Sequence, residues 1–520
     1  MTDNQNPAAS SQKGPGPDPH SQVGPVQIVI FGASGDLTTR KLVPALVSLA
    51  RQGRLSEGFT LVGVARRPKT DEQFRSELRQ ALSGGDQAAF DALAARIFYV
   101  QGDVEKPEDL RALSLRLDAE ADGKCSGRLF YLSLKPDLFV PAVEHMTEVG
   151  LLARSEDGKP WTRVIVEKPF GHDFDSARTI NQNLHGLLGE DQIYRIDHYL
   201  GKETVQNLFA FRFNNTIFEP LWNRNHVELV QISVAEEMGM EKGRAAYYDS
   251  AGALRDMLQN HMLQILALVA MEPPSSLDPE AVRGQKVNVL NSLRLGGPAI
   301  RARYVASELD GQRVRGYLEE DGVAPGSSTE TYVAVRAEVE TWRWAGVPFL
   351  LRHGKRMKQR FTEVKVQFRV PPLQLFEGLS GGGATPPASQ LPDGTVCALR
   401  PNVLTLSIQP REALALSFGV KEPGRGMVMT TAELAFDYRD RFGEATTPPY
   451  ERLLLDALQG DPTLFLRSDE VEASWRFADT ILRSWSEPGA PPNLEYPAGS
   501  WGPTEADALI HGCEGGWSRG

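Results

Sequence analysis

Cysteine is nearly missing from this chain of 520 residues: Cys125, Cys397 and Cys513 lie far apart, with no CxxC spacing. That excludes a disulfide framework and a cysteine zinc site; no metal is expected, and the reducing compartment this fits makes a cytoplasmic location the expectation. Long hydrophobic runs are missing too. No stretch approaches the length of a membrane span, so no membrane partner is expected. Nor is positive charge in excess: 56 Lys and Arg face 67 Asp and Glu, a net charge of -11. A general nucleic-acid binder needs the opposite field. An anion bound here must find a local basic cluster in an acidic background.

What is present is a globular composition, 41% hydrophobic and 24% charged, long enough for two domains. Residues 1–25 are rich in Pro, Gly, Ser, Gln and Asn without an apolar core, and read as a disordered tail rather than a secretory signal. Val26–Phe31 (VQIVIF) is a continuous apolar run that predicts a buried strand. Leu42, Leu46 and Leu49 follow at helical spacing, where Pro44 predicts a kink or a late helix start. Thr60–Ala65 and residues 97–100, 128–133 and 163–166 predict further strands, separated by helical stretches. The alternation predicts an α/β, Rossmann-type dinucleotide-binding domain over 26–197, built on a doubly wound parallel sheet.

From 198 to 520 the pattern changes. Residues 227–234 alternate, a helix is expected over 252–271, and strand-like runs recur at 331–340, 362–370 and 402–408. This predicts a larger α+β domain with a mostly antiparallel sheet. Residues 371–394, dense in Gly, Pro, Ser and Ala, read as an exposed loop.

The turn after the first strand, Gly32-Ala33-Ser34-Gly35-Asp36-Leu37, has the strand–glycine–helix order that cradles a pyrophosphate. An acidic residue at the end of the second strand would accept from the ribose 2'-hydroxyl of NAD. Arg66 and Arg67 stand there instead, and two guanidinium groups suit the 2'-phosphate of NADP. The expected dinucleotide contacts in these segments are Gly32, Ser34, Gly35, Asp36, Leu37, Arg66 and Arg67.

Four segments carry side chains for chemistry. Lys168, in Glu167-Lys168-Pro169-Phe170-Gly171, follows an apolar strand at the end where such sheets bind ligands. In residues 195–203 (RIDHYLGKE), a helix starting near Asp197 would put His198, Tyr199 and Lys202 side by side as a phosphate clamp; the plain alternative is an N-cap aspartate and an amphipathic turn. His261 sits at the edge of an apolar helical stripe, where a lone histidine is more often a core residue. A carboxylate such as Asp197 holding one ring nitrogen would leave the other as a base. Asp256 is five residues from His261, roughly 140° around an ideal helix, so the two should not share a face. Residues 351–360 (LRHGKRMKQR) form the most basic stretch, suited to a small anion.

Together these segments resemble the glucose-6-phosphate dehydrogenase family, as do residues 450–456 (YERLLLD) and 498–503 (AGSWGP). The resemblance implies a homodimer or homotetramer that oxidises glucose 6-phosphate at C1 to a lactone with NADP. It implies His261 as the base, oriented by Asp197, and His198, Tyr199 and Lys202 on the phosphate. Glu237, Asp256 and Lys355 would bind sugar hydroxyls, with Arg360 close by. Lys168 would stand between substrate and cofactor, with a cis peptide at Pro169. Two other readings compete: an oxidoreductase of unphosphorylated sugars or polyols, which would not need His198 and Lys202, and a catalytically dead NADP-binding regulator, which predicts a broken Asp–His pair.

Overall fold

The structure, a computed structural model, describes residues 22–121, 123–153, 160–240, 243–373, 375, 401–443, 447–510 and 516–520. Most of the expected tail and of the 371–394 loop therefore lies outside the described residues. The tail's end does not: Val23 is buried and forms a β-bridge with Leu55.

The N-terminal half supplies six strands: β1 (Val26–Phe31), β2 (Thr60–Ala65), β3 (Ile97–Gln101), β4 (Gly127–Leu132), β5 (Trp161–Val166) and β6 (Ile193–Ile196). Every residue of β1 is buried, as a strand covered on both faces must be. The sheet runs β6-β5-β4-β1-β2-β3 with all neighbours parallel. The order reverses between β1 and β4, which opens the crevice where such sheets bind dinucleotides. The helix begins at Asp36, and Pro44 stands in the first turn of its α-helical part Val43–Arg51, just after a π-helical stretch at Thr38–Leu42, so Pro44 is met by an irregular helix rather than by a late start. Strand Phe465–Leu466 returns from the C-terminal half and pairs antiparallel with β6, so both halves build this sheet.

Among the described residues the second sheet has ten strands. Its central path runs Val403–Gln409, Phe361–Phe368, β7 (Val227–Ala235), Pro348–Gly354, Tyr332–Val339 and Ile300–Val305. Most pairs are antiparallel; β7 with Pro348–Gly354, and Ile300–Val305 with Asn493–Pro497, are parallel. One face of this sheet joins the main core, through Val230, Ile232, Val234, Phe349 and Leu351. The other carries a smaller cluster with Leu229, Ala235, Tyr304 and Tyr496.

The helix expected over 252–271 is interrupted. An α-helix ends at Ala253, with Gly252 at φ 71; a π-helix spans Leu254–Met262 and an α-helix Leu263–Ala270. Glu330 sets the break: its Oε1 accepts from Leu254 N–H at 3.0 Å, and its carbonyl from Ala253 N–H at 3.0 Å. A Cβ on Gly252 would lie 2.4 Å from Glu330 Oε1.

Candidate active site

The stretch after β6 is not a helix. Asp197 Oδ1 accepts from Tyr199 N–H at 2.9 Å, and Leu200 N–H and Lys202 N–H close turns on Asp197 O and Tyr199 O. A short carboxylate side chain capturing the backbone two residues on favours a turn over a helix. The helix begins at Glu203, with Lys202 as its N-cap. The turn gathers the expected residues all the same. The ring of His198 lies 5.1 Å from that of Tyr199, and Lys202 Nζ lies 4.2 Å from the Tyr199 ring centre. Burial, with Arg360 nearby, brings the Lys202 ammonium down to about 8.

His261 comes to this turn from the π-helix. Its Nδ1–H donates to Asp197 Oδ1 at 2.6 Å, and both side chains are buried. Its Nε2 is buried and has no partner among the described residues. The ring stacks on Tyr199 at 4.5 Å and meets His198 edge-on at 4.6 Å. Burial holds His261 below the ordinary histidine value, against the pull of Asp197. For Asp197 burial acts the other way, but the charge and hydrogen bond of His261 outweigh it and hold the carboxyl well below the usual carboxylate range. The pair is an imidazole oriented by a carboxylate, with the other ring nitrogen free to take a proton.

The π-helix resolves the problem posed by Asp256. Its i→i+5 repeat sets residues five apart nearly above one another, where an α-helix would turn them away. Asp256 lies close enough for the charge of His261 to help hold its carboxyl down, although burial opposes this and Lys168 contributes more. Lys168 Nζ donates to the carbonyl of Asp256 at 2.8 Å and to its Oδ1 at 3.2 Å, and the Lys168–Pro169 peptide is cis.

One residue is displaced from expectation. Glu237 is exposed, whereas Glu236 faces the site and forms an ion pair with Lys355. The reason is strand periodicity: Val230, Ile232 and Val234 face the main core, so the next residue on that side is Glu236, and Glu237 points away. Lys355 continues the same face of its own strand after Leu351 and His353. Arg360 is exposed, near Lys202 and Tyr199.

On the crevice side, Gly32 has φ 76, and a Cβ there would lie 2.0 Å from the carbonyl of Ser133 at the end of β4. Only glycine lets the two strand ends approach so closely. Ser34 Oγ is buried with no partner among the described residues. Gly35 and Asp36 are exposed, Leu37 is half-buried, and the helix begins at Asp36. Arg66 and Arg67 are exposed just beyond β2 and form no ion pair among the described residues. A turn with an orphaned hydroxyl, an open helix start and two unpaired guanidinium groups fits an anionic dinucleotide.

Other groups at the site escaped the sequence reading. Gln409 accepts from Lys202 Nζ at 2.7 Å and donates to Thr362 Oγ1 at 2.8 Å, from 207 positions along the chain. Glu167 Oε1 accepts from the phenols of Tyr131 and, at 3.3 Å, Tyr450, whose ring lies parallel to that of His198. Alternation along β7 could have picked out Glu236; no local pattern marks Gln409.

A parallel Rossmann-type sheet whose crevice opens beside a buried carboxylate–imidazole pair defines a nicotinamide-dependent oxidoreductase. The family model for the glucose-6-phosphate dehydrogenase NAD binding domain matches residues 29–207, and that for the C-terminal domain matches residues 209–518. The chain belongs to the glucose-6-phosphate dehydrogenase family. It is 43% identical over 503 residues to the glucose-6-phosphate 1-dehydrogenase of Aggregatibacter actinomycetemcomitans, covering 95% of this chain and 97% of that one. The enzyme of Mycolicibacterium smegmatis is 42% identical over 512 residues, covering 96% and 99%. A solved glucose-6-phosphate dehydrogenase in complex with its substrate glucose-6-phosphate superposes with a TM-score of 0.83 at 34% identity, covering 96% of this chain and 99% of that one. The Mycobacterium avium enzyme gives 0.77 at 36% identity, covering 95% and 98%.

Proposed function

We propose that this protein oxidises glucose 6-phosphate at C1 to the 1,5-lactone, with NADP as the acceptor. The observation that carries the reading is the 2.6 Å contact between Asp197 and His261, beside a lysine–histidine–tyrosine turn. His261 Nε2 takes the proton of the C1 hydroxyl as the C1–H bond gives up its electron pair. Asp197 keeps Nδ1 protonated and stabilises the imidazolium as it forms. NADP, when bound, supplies the carbon that receives the hydride. His198, Tyr199 and Lys202 hold the phosphate, with Gln409 and Arg360 beside them. Asp256, Lys355 and Glu236 hold the sugar hydroxyls, the last in place of the expected Glu237. Lys168, tied to Asp256, stands between sugar and crevice. Gly32, Ser34, Gly35, Asp36 and Leu37 cradle the pyrophosphate, and Arg66 and Arg67 take the 2'-phosphate.

We further propose a homodimer or homotetramer joined through the second sheet, on the strand Met429–Asp437. Leu434 and Phe436 are exposed there, and its outer edge has no neighbour among the described residues. Cys125 is a free cysteine, and no helix among the described residues is long and apolar enough to cross a membrane; both accord with a cytoplasmic enzyme.

The test is NADPH formation with glucose 6-phosphate, glucose and 6-phosphogluconate side by side, with NAD run in parallel. Glucose 6-phosphate and NADP should be preferred. Lys202→Ala should lower kcat/KM for the phosphorylated sugar by roughly ten- to a hundredfold, the worth of a charged hydrogen bond, and spare glucose. Equal losses for both sugars would count against the phosphate clamp.

A further inference from the structure

Lys355 stands at an irregular point of the chain. It follows the strand Pro348–Gly354, and the next residue, Arg356, has φ 51, a left-handed conformation that costs energy for a residue with a Cβ. Three segments converge to hold it. Lys355 N–H donates to Thr331 O at 3.0 Å, Arg356 N–H to Met238 O at 3.2 Å, and Met357 N–H to Glu236 O at 2.9 Å. From the C-terminal side, Gly499 N–H donates to Arg356 O at 2.7 Å, and Lys358 N–H to Ser500 O at 2.9 Å. The innermost contact is Tyr496, whose phenol O–H donates to the Lys355 carbonyl at 2.6 Å from a side chain that is 0% exposed.

Turning over the peptide between Lys355 and Arg356 would return Arg356 to negative φ and relieve the strain. It would also swing the Lys355 carbonyl away from Tyr496 and break the Arg356 N–H bond to Met238 O, which ties this turn to the segment that carries Glu236. The Tyr496 hydrogen bond opposes that flip directly. Gly499 opposes it from the next carbonyl, in a turn where a Cβ would lie 2.3 Å from Leu309 Cδ2.

We propose that Tyr496 is a positioning residue for the dehydrogenase reaction: it locks the Lys355–Arg356 peptide so that the Lys355–Glu236 pair is presented to the sugar. The proposal rests on the reading that Lys355 and Glu236 hold sugar hydroxyls. It gives the C-terminal strand Asn493–Pro497 and the turn after it a task in substrate binding, although Tyr496 itself touches no substrate.

The experiment is a double-mutant cycle of Tyr496→Phe and Lys355→Ala, with KM and kcat measured for glucose 6-phosphate and for glucose. Tyr496→Phe keeps the buried ring and removes the hydroxyl, with its 2.6 Å bond to Lys355 O and its longer contacts to Thr331 Oγ1 at 3.2 Å and Thr331 O at 3.4 Å. KM should rise about three- to tenfold for both sugars alike, since the contact concerns hydroxyls and not the phosphate. In the same variant kcat should stay within about twofold, as for lost ground-state binding. In the Lys355→Ala background, Tyr496→Phe should add nothing. An unchanged KM in Tyr496→Phe, or a rise that persists undiminished in the Lys355→Ala background, overturns the positioning role alone. An unchanged KM in Lys355→Ala overturns the sugar-binding reading, and the proposal with it.

Discussion

At the scale of single residues, the site works by favouring the deprotonated form of two neighbouring groups, a base and the carboxylate that orients it. His261 is kept neutral by burial while Asp197, 64 positions away, is kept ionised by His261. A base whose value lies below the ordinary 6.5 loses activity only when pH falls through that lowered value. The acid limb of the kcat/KM profile for glucose 6-phosphate should therefore be centred below the ordinary histidine value of 6.5; an acid limb centred above 6.5 would contradict the assignment. On the alkaline side, Lys202 loses its charge near 8, so KM for the phosphorylated sugar should climb beyond that pH while KM for glucose does not. Both residues stood out by type, while their roles came from the family resemblance and the helical spacing read around Lys202 is a turn in the structure. Glu236 was misplaced by one position, because two consecutive glutamates look alike until strand alternation assigns each a face.

At the scale of elements, two departures from regular helix build the site. The π-helix Leu254–Met262 turns Asp256 and His261 to one side. No composition signal announces it, and its start is held by Glu330, a residue distant in sequence that accepts from Ala253 N–H and Leu254 N–H where the helix restarts after Gly252. The turn at 197–202 is likewise set by a carboxylate capturing its own backbone, where sequence spacing suggested a helix. That turn is pressed against the helix Pro449–Gln459: a Cβ on Gly201 would lie 2.8 Å from Pro449 O and 3.0 Å from Leu453 Cδ1. Gly201→Ala should cost about 1–3 kcal/mol by overpacking. It should appear as a lower thermal midpoint together with a raised KM for glucose 6-phosphate. A variant with wild-type midpoint and KM would show that the contact gives way without consequence.

At the scale of the whole molecule, the first sheet was readable almost strand by strand, because a parallel sheet buried on both faces writes itself as unbroken apolar runs. The second sheet was readable in class and not in order. Its register depends on pairings between distant segments, among them Asn493–Pro497 with Ile300–Val305 and β7 with Pro348–Gly354. The same long-range pairings bring Gln409, Tyr450 and Tyr496 to the site from the C-terminal half. The exposed strand Met429–Asp437 gives the proposed assembly its own test: Leu434→Asp with Phe436→Asp should shift the protein to monomers in analytical ultracentrifugation, and an unchanged sedimentation coefficient would place the interface elsewhere. The claim on which all of this depends is that the free nitrogen of His261 is the base. The most direct measurement is steady-state NADPH formation from glucose 6-phosphate by His261→Asn beside the unaltered protein. Turnover should fall roughly 100-fold or more with substrate affinity largely kept. Turnover within a few-fold of the original would contradict the claim.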